Sequence, residues 1–146
     1  MNESQPQASD FASPALVEAL FYEAFAQIDM ALMTRVWLDS ERAYCVHPGG
    51  QPLLGSRAVL ESWHSMFQGA QSLVLFYKVL NREEWGDLAI HLVEERLSSR
   101  DGSQHGLVMA TNCYVKTGDG WRLFSHHGSS LSLPRPKQPE ASPQIH

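Results

Sequence analysis

The sequence predicts an α+β fold: three helices laid on one face of a curved antiparallel sheet, in the order α-α-β-α-β-β-β-β. Three observations carry this reading. Apolar residues recur at helical spacing in the first half and at alternate positions from Leu73 onward. Two Asp-Gly pairs, 101–102 and 119–120, punctuate the second half at hairpin spacing. The chain has 146 residues, 43% hydrophobic and 18% charged, enough for one domain with a buried core and too few for two.

Pro14 opens the first helix at a position where its missing N–H costs nothing, with Ser13 ready as N-cap. Val17, Leu20, Phe21, Ala24, Phe25 and Ile28 then form a continuous apolar stripe. Asp29 can cap a short second helix over residues 31–38. A strand is expected over 42–47, ended by Pro48-Gly49-Gly50. The third helix follows Gly55 with Ser56 as cap, shows Val59, Leu60, Trp63, Met66 and Phe67 on one side, and stops at Gly69. Four strands are then expected over 73–80, 88–98, 105–116 and 121–131, the last three as an antiparallel meander. The domain thus spans 14–131. Residues 1–13 and 132–146 read as disordered, because the first is polar and the second holds four of the eight prolines. Pro136 and Pro139 make a PxxP spacing of the kind SH3-type modules read, although such spacings are ordinary in any proline-rich tail.

Composition excludes several functions. A formal charge of -5 argues against nucleic-acid binding, which needs a cationic surface. No apolar run approaches the ~20 residues that span a bilayer, and residues 1–13 lack the basic and apolar parts of a secretory signal. Cys45 and Cys113 are too few and too distant for a disulfide framework, so a cytoplasmic protein is expected. The chain has no Gly-rich phosphate loop, no nucleophile elbow and no CxxC, and no cofactor is expected.

The Asp-Gly turns allow a register calculation. Centred on Asp101-Gly102, paired positions sum to 203 and His91 faces Asn112; centred on Asp119-Gly120, Asn112 faces His127 and Tyr114 faces Ser125. One face then carries His91, Val93, Glu95, Val108, Ala110, Asn112, Tyr114, Ser125 and His127. The other is more apolar, with Ile90, Leu92, Leu107 and Met109. Three helices cover one side only, so the apolar side suggests a sheet-to-sheet homodimer, with a pocket between helices and sheet on the first.

These residues also resemble a known family. The helix pair followed by Tyr44-Cys-Val-His-Pro-Gly-Gly50, Leu54-Gly-Ser-Arg-Ala58 and Ser62-Trp63 is similar to the nuclear-transport-factor-2-like superfamily, closest to its SnoaL-like bacterial group. The runs Ala110-Thr-Asn-Cys-Tyr114, Gly120-Trp-Arg-Leu123 and His126-His-Gly-Ser129 carry the same resemblance, which covers residues 14–131. It implies a cystatin-like cone in which the bent sheet wraps a long helix, a pocket at the wide end, and pairing through the sheet. The superfamily holds polyketide cyclases, ketosteroid isomerases, dehydratases, ligand-binding proteins and the association domain of calcium/calmodulin-dependent kinase II. Asn112 stands where that association domain carries a pocket arginine, so an anion-binding role does not carry over.

Candidate chemistry centres on the polar face. Glu95, buried in an apolar cone, has its pKa raised and can act as general acid or base; the alternative is an ion pair at the sheet rim. His127 facing Asn112 forms either a polarising pair, with the amide orienting a proton-carrying imidazole, or a hydrogen-bonded core histidine. His47 either reaches the pocket mouth or ties down its turn. Trp37, Trp63 and Tyr22, with His91 and Tyr114, line the expected ligand pocket and are equally read as core. His91, Glu95 and His127 share a face, but Glu95 lies four residues, about 13 Å, along the strand from His91, so no metal site is expected. Two functions remain: a cone binding a largely apolar small molecule with isomerase, cyclase or dehydratase chemistry, or a non-catalytic ligand-binding or oligomerisation domain.

Overall fold

Ser13 caps α1 (Pro14–Gln27) through its side chain, which accepts from the Leu16 N–H at 3.2 Å in the computed structural model, which describes residues 7–132. The helix ends one residue earlier than its apolar stripe implies. Ile28 is the cap, in the left-handed region at φ 56°, and its N–H and that of Asp29 return to the Ala24 and Phe25 carbonyls. Asp29 caps α2 (Met30–Val36) by accepting from the Leu32 N–H at 3.0 Å. α3 (Ser56–Gln68) begins at Ser56 itself, so Ser56 is not its cap. Its hydroxyl instead accepts from the Ser40 N–H and donates to Asp39, fastening the loop before β1.

Six strands form one sheet, β1 (Tyr44–Val46), β2 (Leu53–Leu54), β3 (Val74–Trp85), β4 (Leu88–Ser98), β5 (His105–Thr117) and β6 (Gly120–Ser130), ordered β2-β1-β6-β5-β4-β3. The expected order of helices and strands holds, with the two-residue β2 added between β1 and α3. All pairs are antiparallel except β1 with β6. β3 runs five residues past its expected end because Asn81–Glu84 are polar and exposed on an edge strand, where no apolar alternation marks the pairing.

Residues 8–11 form a short 3-10 turn within the segment expected to be disordered. The cause is Phe11, 2% exposed, which packs into the core beneath the Arg122 guanidinium, 3.8 Å from its ring. Gly120 makes that approach possible: a Cβ there would stand 2.7 Å from the Phe11 carbonyl oxygen. The PxxP spacing of Pro136 and Pro139 lies outside the described residues.

The β4–β5 register is the one calculated, with His91 opposite Asn112 and Glu95 opposite Val108. Neither Asp-Gly pair forms a type I′ turn, since only Gly102 and Gly120 have positive φ. On β6 the calculation fails by two residues as far as Tyr114 and by one beyond it. Tyr114 pairs with Leu123, but Cys113 pairs with Ser125, leaving Phe124 as a bulge. Beyond it Asn112 faces His126, and His127 opposes Thr111 and is exposed. His127 therefore does not enter the cone.

Candidate active site in the cone

α1 lays Glu18 and Tyr22, one turn apart, against the inward face of β4 and β5. Glu18 is 1% exposed, and its Oε2 gathers three donors: the Tyr114 hydroxyl at 2.6 Å, His91 Nδ1 at 2.9 Å and Asn112 Nδ2 at 3.4 Å. Its Oε1 is buried with no partner among the described residues. Tyr22 donates its hydroxyl hydrogen to Glu95 Oε2 at 2.7 Å and accepts from Asn112 Nδ2 at 2.9 Å. Asn112 in turn accepts at Oδ1 from His126 Nδ1 at 2.6 Å. The donors therefore all point one way, from His126 through Asn112 and Tyr22 to Glu95.

Burial sets the ionisation of this chain. Desolvation, aided by the Glu18 charge, raises the Glu95 pKa to about 7 although the Tyr22 hydrogen bond pulls it down. His126 is buried among Phe21 and Trp63, at ring distances of 5.1 and 6.1 Å, and desolvation lowers its pKa to about 3. It is neutral at physiological pH, a hydrogen-bond donor rather than a proton carrier. Desolvation and the neighbouring carboxylates hold Tyr22 and Tyr114 far above the ordinary phenol value. Glu95 is the group in the chain poised to gain or lose a proton near neutrality.

The structure thus brings Tyr22, His91, Glu95, Asn112 and Tyr114 into one network and puts His126 in the place expected for His127. Trp63 is fully buried beside His126, its indole N–H without a partner among the described residues. His47 lies at the edge of the network. Its Nε2 donates to Ser62 Oγ at 2.9 Å and its ring meets Trp63 edge-on at 4.9 Å, so it ties β1 to α3. Trp37 sits behind Phe21, 6.5 Å between rings, and touches none of the network. Glu18 is the member that the sequence reading missed: it stands at the border of the apolar stripe, beside Val17 and one turn before Tyr22, where a carboxyl ordinarily reaches solvent.

Tyr77 of β3 stacks on Tyr22 at 4.2 Å and is 39% exposed, so it separates the network from solvent. A groove of about 500 Å³ opens at the sheet rim, between Phe76, Arg96, Leu97, Leu107, Val108 and Leu131. Val108, the cross-strand partner of Glu95, lines it; Glu95 itself does not.

The family model of the SnoaL-like domain matches residues 16–133. A Thiobacillus denitrificans structure, provisionally named as a calcium/calmodulin-dependent protein kinase type II association domain, is 34% identical, covers 88% of this chain and all of its own, and superposes with a TM-score of 0.80. A Streptomyces avermitilis protein of the NTF2-like family, provisionally named a dehydratase, is 31% identical over 86% of this chain and 98% of its own, with a TM-score of 0.76. The Arabidopsis thaliana F-box protein SKIP8 is 25% identical over 117 residues, 80% of this chain; the chain spans about half (49%) of that relative's length. A ketosteroid isomerase-like protein from Erwinia carotovora, 15% identical over 85% of this chain and 98% of its own, shares the fold with a TM-score of 0.70. No helix among the described residues is long and apolar enough to cross a membrane.

Proposed function

The chain belongs to the SnoaL-like domain family, within the NTF2-like superfamily, and on that premise we propose that its cone binds a small, largely apolar molecule and shifts a proton on it, with Glu95 as the acid/base. The carrying observation is a buried carboxyl with a pKa near 7, one of whose oxygens is held by the Tyr22 hydroxyl at 2.7 Å. Isomerisation, cyclisation and dehydration all need such a group: a carboxylate takes a proton from carbon, and the resulting acid returns it to carbon or to a leaving oxygen. Tyr22 holds the carboxyl in place. Asn112 and His126 hold Tyr22, and His91, Tyr114 and Glu18 buttress the helix against the sheet. Trp63 supplies an apolar wall.

A second reading, a non-catalytic assembly or ligand-binding domain, is favoured by the similarity to a structure named for an association domain. Under both readings the protein is a cytoplasmic homodimer, joined through the outer sheet face where Leu88, Ile90 and Leu92 are exposed. Its two free cysteines suit a reducing compartment.

Native mass spectrometry of the purified protein, followed by denaturation, tests the binding reading by releasing any co-purifying small molecule. With that molecule as assay substrate, Glu95→Gln retains binding and lowers turnover by about 10²–10⁴-fold. Unchanged turnover removes Glu95 from the mechanism, and binding without any turnover in the wild type leaves the second reading.

A further inference from the structure

The inner face of the cone carries two carboxyls, and among the described residues no lysine or arginine pairs with either; the nearest basic side chain is His91, whose Nδ1 lies 2.9 Å from Glu18 Oε2. Glu18 and Glu95 are 1% and 2% exposed, and their hydrogen-bond donors are phenols, an amide and an imidazole. Glu18 acts electrostatically on Glu95, Tyr22 and Tyr114, raising the proton affinity of all three, and on Tyr77, where the Arg82 charge opposes it. Arg82, opposite His91 on β3, is exposed and forms no ion pair with either carboxyl.

Glu18 Oε1 is the second observation. It is a carboxyl oxygen buried without a donor among the described residues, an arrangement that costs on the order of 1–3 kcal/mol until a donor arrives. Tyr22, one turn along α1 from Glu18, stacks on Tyr77, which forms the partly exposed wall. Carboxylate oxygens beside aromatic faces attract an organic cation twice over, through charge and through the ring quadrupole. An organic anion meets repulsion from both carboxyls.

We infer that the molecule taken by the cone carries a protonated amine, whose N–H bonds to Glu18 Oε1 while its apolar body lies along the Tyr22–Tyr77 pair. This rests on the ligand-binding reading above and narrows it to a substrate class. Entry requires Tyr77 to swing off Tyr22, a rotation open to a side chain already facing solvent on one side.

Benzylammonium, benzyl alcohol and benzoate share one ring and differ in the charge of the head group. Titrated into the whole protein at about pH 8, they are ranked by the change of the Tyr22 and Tyr77 ring signals in NMR. Benzylammonium is expected to bind at least about tenfold more tightly than benzoate, the equivalent of one charge-assisted contact, and more tightly than benzyl alcohol. Glu18→Gln is expected to bring the three within about threefold; thermal melting checks its fold. Should that variant not fold, Tyr77→Leu serves in its place and weakens benzylammonium selectively. Benzyl alcohol matching benzylammonium overturns the ammonium assignment and leaves the binding reading standing. Binding of none of the three overturns both. Ammonium binding that leaves the tyrosine signals unmoved is surface attraction to a net-negative protein and also overturns the assignment.

Discussion

Tyr22 is the residue on which the proton affinity of Glu95 turns. Its hydroxyl both accepts from Asn112 and donates to the carboxyl, and that donation lowers a pKa which burial has raised. Tyr22→Phe therefore moves the Glu95 midpoint upward from about 7, read from the side-chain carboxyl carbon in NMR against Glu95→Gln as blank; a midpoint that stays or falls contradicts the assignment. The same variant strands the Asn112 amide N–H and costs about 1–3 kcal/mol of stability. Glu95 and Asn112 are legible in the sequence because a hairpin of fixed register places their side chains on one face by counting alone. Glu18 is not, since a carboxyl at the edge of an apolar stripe reads as a solvated boundary residue until its donors on β4 and β5 are in view. His126 is hidden for another reason: which of two adjacent histidines points inward depends on a single residue's slip upstream.

At the level of elements, that slip is the Phe124 bulge. Trp121 and Leu123 face the core before it, His126 and Gly128 after it. Nothing in the alternation of Phe124-Ser125-His126-His127 announces the change, so period-two reasoning carries through it and inverts the face. Helix starts are more readable, because capping by Ser13 and Asp29 is local chemistry. The docking of residues 8–11 is not readable, since one phenylalanine in a polar run gains its value only from the cavity that receives it. Gly120→Ala tests that docking. At φ 102°, with the Phe11 carbonyl 2.7 Å from the new methyl, the variant loses at least about 2 kcal/mol in chemical denaturation. In a Phe11→Ala background, which itself costs about 3 kcal/mol and frees residues 8–11 to move away, the part of that penalty due to the close approach disappears while the strain at φ 102° remains. Additive losses instead show that Gly120 serves only its own turn.

For the whole molecule, two buried groups shape the dependence of stability on pH with opposite signs. The Glu95 pKa is raised from 4.5 to about 7, so the stability it contributes is complete below 4.5 and is lost, by about 3 kcal/mol, as pH rises through 7. The His126 pKa falls from 6.5 to about 3, so its contribution is complete above 6.5 and is lost, by several kcal/mol, as pH falls toward 3. Between 4.5 and 6.5 the slopes cancel and a plateau is expected. Denaturant midpoints across pH check it: relative to wild type, Glu95→Gln removes the alkaline decline and His126→Gln the acid one. Assembly is tested at the same scale. Ile90→Lys, at an outer position 45% exposed, converts a sedimenting dimer to a folded monomer; a wild-type monomer at micromolar concentration refutes pairing through that face.

The direction of the donors from His126 to Glu95 has a consequence for traffic as well as for strength. Asn112 is an amide, and an amide passes its polarity along without passing a proton. It works as an insulator between imidazole and carboxyl. Reversing the chain would require the whole amide to turn over, which would aim its N–H at the imidazole and its oxygen at the phenol. The carboxyl is thus electrically tuned from the rear by groups that pass it no proton from His126. Under the proton-shifting reading proposed above, a cone wired in this way favours reactions that return to the substrate the same proton they remove.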